Sequence, residues 1–197
     1  MTRTMVSILV FCLPLSALAE PKEGMDYQFR FLLHAQRVAS NGIGVAGWGI
    51  VPDALNTKTP VGVILGGVVF KQKDRWVEGM VGTFLNGHKV DDPLLDIRAS
   101  DTRSKMVHFF GEARYSLKTD TLMVSPVITF PIYTVQGKMI GVGAESDMFL
   151  TRGRLRYGLG PRLAFQLPIK GWTFATAYQF QPEQDYDILR SYFVISF

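Results

Sequence analysis

Cysteine is almost absent. Cys12 is the only one in 197 residues, and it lies in an apolar run near the N-terminus. If that run is removed, no thiol remains for a disulfide, a thiolate nucleophile or a Cys-based metal site. Charge is also sparse, at 19% of residues against about 25% in ordinary soluble domains. The formal surplus of +4 is too small for the basic footprint that nucleic-acid binding requires. Past the N-terminal run, no charge-free apolar stretch approaches the ~20 residues that a spanning helix needs. A chain of this kind can enter a bilayer only as a closed barrel of strands. There is no internal repeat and no low-complexity tract.

The N-terminus reads Met1-Thr2-Arg3-Thr4, then runs apolar from Met5 to Leu15 with Ser7 intervening, then Ser16-Ala17-Leu18-Ala19 before Glu20. A basic start, a short apolar run and an Ala-x-Ala site predict a secretory signal peptide over residues 1–19, cleaved after Ala19. Phe11 ahead of Cys12 argues against lipoprotein processing, which needs a small residue there. Residues 20–197 are then long enough for one domain.

That domain alternates. Tyr27, Phe29, Phe31, Leu33 and Ala35 oppose Gln28, Arg30, Leu32, His34 and Gln36. Nine further segments follow, over 43–51, 61–70, 76–85, 107–117, 121–132, 140–150, 155–167, 172–180 and 189–197. Period-two runs separated by turn signals such as Ser40-Asn41-Gly42 predict an all-β barrel or sandwich. Ile43–Val51 and Val61–Phe70 are apolar on both sides, so their parity is not readable. Residues 86–104 lack a clear period. There Asp92-Pro93 could start a short helix, or the stretch could be an extra strand. Pro126 and Pro161 each remove a ladder donor and predict local breaks.

The last segment, Leu189 to Phe197, alternates almost strictly and ends on an aromatic ring. It resembles the C-terminal strand of bacterial outer-membrane β-barrels, which ends in Phe with apolar residues at alternate positions before it. The resemblance implies that Phe193, Ile195 and Phe197 form a barrel-closing signal read by the barrel-assembly machinery. It also implies a Gram-negative outer-membrane location with membrane lipid as the main partner.

Alternation alone does not say which face is inside. The polar faces of 155–167 and 172–180 are small and carry little charge, which suits a cramped lumen better than a wet exterior. Their opposite faces carry Leu and aromatic residues along whole strands, as a lipid-facing band requires. Trp172 and Phe180 lie near opposite ends of one segment, as two interfacial girdles would place them. The expectation is therefore an antiparallel up-and-down transmembrane β-barrel, monomeric, with ten strands and eight as the alternative. An even count would put both chain ends on the same side.

Parity then assigns a lumenal charge network of Arg30, Glu78, Glu112, Arg114, Glu145, Asp147, Arg156, Arg162 and Arg190. Charges withdrawn from water need partners, and the Arg fork fits carboxylates. The network could plug the barrel or line a narrow pore. For catalysis the candidates are His34, His108 and Glu112 converging across strands. On one strand, His108 and Glu112 would stand about 13 Å apart, too far for a direct bond. His88 is read as solvated. No hydrolase signature, metal-ligand spacing or cofactor motif is present. The expected function is a non-enzymatic outer-membrane barrel, structural or narrow-pored. The alternatives are a lipid-modifying barrel enzyme and a soluble periplasmic lipocalin-like binding barrel.

Overall fold

The computed structural model describes residues 24–51, 61–86, 89–135 and 138–197. The expected signal peptide, Cys12, the break at 52–56, His88 and the Gln136-Gly137 turn lie outside the described residues. The described chain forms one closed barrel of eleven strands. They are β1 (Gly24–Val38), β2 (Ile43–Val51), β3 (Val61–Gln72), β4 (Arg75–Asn86), β5 (Lys89–Asp101) and β6 (His108–Ser116). The second half holds β7 (Thr121–Val135), β8 (Lys138–Thr151), β9 (Arg154–Gln166), β10 (Trp172–Gln179) and β11 (Tyr186–Ser196). Each strand pairs antiparallel with the next in sequence, and β1 pairs parallel with β11.

The count corrects both the ten-strand expectation and its eight-strand alternative. The additional strand is β5, inside the stretch that showed no period. Asp92, Leu94, Asp96 and Arg98 are buried there, and Pro93, Leu95, Ile97 and Ala99 are exposed. That is a period of two, not of a helix, and β4 and β6 pair along its two edges. Pro93 still serves the ladder as an acceptor, taking the Leu117 N–H at 3.1 Å. The signal was hidden because the inward positions carry charges and Leu94 and Leu95 are adjacent.

The odd count has a topological result. In a meander, alternate strands reverse direction, so the first and eleventh run the same way and must close in parallel. The all-antiparallel expectation fails at this one seam. The chain enters β1 and leaves β11 at opposite ends of the barrel, which corrects the expectation of both ends on one side. At the seam the ladder continues past β11, where Phe197 N–H donates to His34 O at 2.9 Å.

Both flagged prolines break a ladder without shifting its register. The β7–β8 pairing skips from Val124 to Val127 across Pro126. The β9–β10 pairing passes from Arg162 to the isolated Leu159–Phe180 bridge across Pro161. The register shifts fall elsewhere, at Phe84/Leu85 and Pro131/Tyr133.

The interior is built from two kinds of surface. Ala46, Trp48, Val63, Leu65, Val69, Met80 and Leu94 form an apolar cluster inside β2–β5. This explains the unreadable parity of β2 and β3, whose outward residues Val45, Ile64, Val68 and Phe70 are apolar too. The remaining interior carries charged clusters beside a small apolar one at Ala164, Ala175 and Tyr192. Inward glycines let neighbouring strands approach closely where the narrow sheet coils. A Cβ at Gly82 would stand 1.9 Å from the Ile64 carbonyl oxygen, and one at Gly143 would stand 1.8 Å from that of Ile128.

The outer face is apolar around the circumference, from Tyr27 and Val45 through Val81 and Ile97 to Tyr157 and Leu163. Aromatic rings cover the seam from outside. Phe193 stacks on Phe31 at 5.6 Å and meets Phe174 at 5.1 Å, Phe29 at 5.8 Å and Trp172 at 6.1 Å.

Candidate functional site: the charged interior

The inward residues of β1, β2 and β4 converge on Glu78, which is fully buried. One of its oxygens accepts from His34 Nε2 at 2.8 Å and from Gln36 Nε2 at 2.6 Å. The other accepts from Trp48 Nε1 at 2.7 Å. His34 lies flat on Trp48 at 4.2 Å, and the Arg98 guanidinium stands 4.0 Å from the Trp48 ring centroid. Weakly hydrated and planar, a guanidinium suits such a stack better than an ammonium would.

Arg98 carries the network onward. Its Nε is 2.9 Å from Asp96 Oδ1, an ion pair without hydrogen-bond alignment, and its Nη2 reaches Glu112 at 3.1 Å. Arg114 Nε bonds the other Asp96 oxygen at 2.9 Å and also pairs with Glu112. Two guanidiniums thus hold two carboxylates in a closed ring, with the Glu78 cage beside it.

A second cluster occupies the β7–β11 side. Glu145 accepts from Tyr192 OH at 2.8 Å and Gln179 Nε2 at 3.1 Å, and pairs with Arg162 at 3.3 Å. Arg190 bridges Glu145 at 3.5 Å and Asp147 at 2.5 Å. Ser125 Oγ donates to Asp147 at 2.6 Å, and Arg162 reaches Thr129 at 2.7 Å. Arg30 closes the set through Gln28 Oε1 at 2.7 Å, an oxygen that Arg190 also uses. Together, five guanidiniums (Arg30, Arg98, Arg114, Arg162, Arg190) balance five carboxylates (Glu78, Asp96, Glu112, Glu145, Asp147), all inward-facing. The two clusters are interlocked, and their guanidiniums and carboxylates match in number.

The strand ends carry ordinary polar chemistry. Asp92 is buried by the Ser116 hydroxyl and the Lys118 backbone N–H. In the turns, Asp91 holds the Lys118 ammonium above its usual range, and Asp101 does the same for Arg103.

Eight of the nine residues expected in the lumenal network lie in these clusters. Arg156 does not: it keeps inward parity but lies exposed near the start of β9. Asp96 and Arg98 were missed because they fall in the stretch read as aperiodic. The polar roles of Trp48, Gln179 and the Tyr192 phenol were missed too; alternation places a residue on a face but does not say what it touches. His34, His108 and Glu112 are not brought together. His34 is taken by Glu78, Glu112 is held by Arg98 and Arg114, and His108 stands at the start of β6. The closing residues Phe193, Ile195 and Phe197 share the outer parity, and Phe197 is exposed.

The His34–Glu78 pair has the form of a base and its orienting carboxylate. A nucleophilic dyad also needs a hydroxyl or thiol within reach of the ring, and His34 instead has the Trp48 and Trp76 rings against it. No group of His, Cys, Asp or Glu among the described residues is arranged to hold a metal. Among the described residues no helix is long and apolar enough to cross a membrane, a test that does not bear on strands.

Fold and interior together define the class: an all-β closed barrel of eleven strands with one parallel pair, apolar outside and ion-paired within. Comparison with family models, curated proteins and solved structures returns no match.

Proposed function

We propose that this chain is a transmembrane barrel of the bacterial outer membrane, exported by its N-terminal segment, whose interior is closed by paired charges. Its role is structural or that of a very narrow pore, without catalysis. One observation carries this reading. Val45, Val81 and Ile97 are about 60% exposed on the outer face, whereas Glu78, Asp96 and Arg98 are at most 1% exposed inside. A water-soluble barrel would have to leave the former wet and desolvate the latter. In a bilayer the outer band meets lipid and the inner charges meet one another. Strands of 15, 13 and 14 residues in β1, β5 and β8 exceed the ~9–11 that a tilted crossing needs.

Cell fractionation and liposome flotation test this. The protein is expected in the membrane fraction, released by detergent and running faster unboiled than boiled on a gel. Recovery in the soluble fraction without detergent would refute it. Planar-bilayer recording separates the plug from the pore: the interlocked interior predicts no steady conductance. Lipid profiling of cells with and without the gene tests the enzymatic alternative, and unchanged acyl chains count against it.

A further inference from the structure

The paired strands put five outward positions in one row across the barrel. Ile43 stands opposite Phe70, Phe70 opposite Val77, Val77 opposite Ala99, and Ala99 opposite Gly111. The row passes from bulky to small, and its small end is flanked by Phe109. The result is an open cavity of about 730 Å³ on the outer face, at the end of the barrel where the β3–β4 turn lies. Phe70, Val77 and Phe109, each near half exposed, form its walls, with Ala99 and Gly111 as the floor. The next row toward the strand ends is polar: Gln72 opposite Arg75, and Arg75 opposite Asp101.

Charge around this cavity is one-sided. Lys71 and Arg75 line it, and Lys71 Nζ donates to Gln36 Oε1 at 3.3 Å. Arg75 spends its Nε and Nη2 on Gln72 Oε1 and keeps further N–H groups for another acceptor. Asp101 is the carboxylate at this site, and Arg103 binds it through both oxygens. Arg37, Lys73 and Lys105 add positive charge at the same end, against Asp74. An apolar slot topped by a guanidinium with N–H groups to spare is complementary to a molecule with a hydrocarbon body and an anionic head.

From this we infer that the groove over β3–β6 is a binding site for an anionic phospholipid. One acyl chain lies on Ala99 and Gly111, and the phosphate meets Arg75. The inference rests on the membrane reading above, and it places this end of the barrel at a lipid headgroup layer.

Gly111 gives a clean probe, because a Cβ built there meets nothing within 4 Å. A side chain added there starts into the groove with its Cβ clear of the neighbouring strands. The full-length barrel is purified in detergent, and retained lipid is measured by native mass spectrometry. Phosphatidylglycerol and phosphatidylcholine of identical acyl chains are supplied in turn. Retention of phosphatidylglycerol is expected to exceed that of phosphatidylcholine about tenfold, and Arg75→Gln to remove most of that preference. Gly111→Leu is expected to lower retention of both lipids while the folded gel mobility is kept. Equal retention of the two lipids, or unchanged retention in folded Gly111→Leu, overturns the proposal. So does displacement by millimolar inorganic phosphate alone, which would make the site one for a free anion. Flotation of the wild type is scored separately. A barrel that floats yet does not discriminate loses only this inference, whereas one that does not float loses the membrane reading.

Discussion

At the scale of single residues, the outer face and the inner face impose different rules. Phe193 is an outer residue whose value lies in its neighbours on both sides of the seam. Removing its ring deletes contacts to Phe29, Phe31, Trp172 and Phe174 at once. Phe193→Ala is expected to destabilise the folded barrel by about 2 kcal/mol, read as a lower urea midpoint in lipid vesicles. Glycine positions divide sharply. Gly82→Ala drives a methyl into the Ile64 carbonyl, whereas a Cβ on outward Gly66 meets nothing within 4 Å. The first is expected to cost about 1–3 kcal/mol. The second is expected to be neutral or mildly stabilising, since alanine loses less backbone freedom. Paired melts of the two variants check the contrast. Gly42 shows the other use of glycine: its φ of +84° turns the chain between β1 and β2.

At the scale of elements, β5 decides how the interior is held. It places Asp96 and Arg98 two residues apart on the inner face, between the apolar cluster and the carboxylate of Glu112 on β6. Arg98→Ala leaves Asp96 and Glu112 short of a cation in a buried site and strips the Trp48 ring of its cover. A loss of about 3–5 kcal/mol is expected, with a shift in tryptophan emission as Trp48 gains water. Unchanged stability and emission would contradict the network. The same strand marks the limit of what sequence alone revealed. Where one face is apolar and the other polar, as along 155–167 and 172–180, period two was plain and the outward face was readable. Where the inside is apolar as well, as at Ala46 and Val63, both parities look alike and only the pairing partners separate them. Where the inside is charged and a proline intervenes, as at Asp92-Pro93, the helix-start chemistry competes with the strand signal. The lumenal arginines were found by parity, but their partners were not, because a carboxylate on a strand far away in sequence leaves no local trace.

At the scale of the whole molecule, eleven strands set the two chain ends apart. Single cysteines introduced at Met25 and Ser196, with Cys12 replaced, are expected to react with an impermeant maleimide from opposite sides of reconstituted vesicles. Labelling of both from one side would require an even-numbered path and would contradict the parallel seam. That seam also sets the order of events in folding. Every other pairing joins consecutive strands, but β1 meets β11 across a separation of 162 residues, as in the Gln28–Arg190 contact. Closing such a loop costs roughly 3 kcal/mol more entropy than closing a hairpin of about four residues. The sheet can therefore grow hairpin by hairpin from either half, and the parallel junction forms last. Contacts made at the end of folding govern escape from the native state more than entry to it. Weakening the aromatic cover at Phe193 should then quicken unfolding and leave the early folding rate almost unchanged. The seam is the barrel's kinetic latch, the slowest edge to join and the first to part.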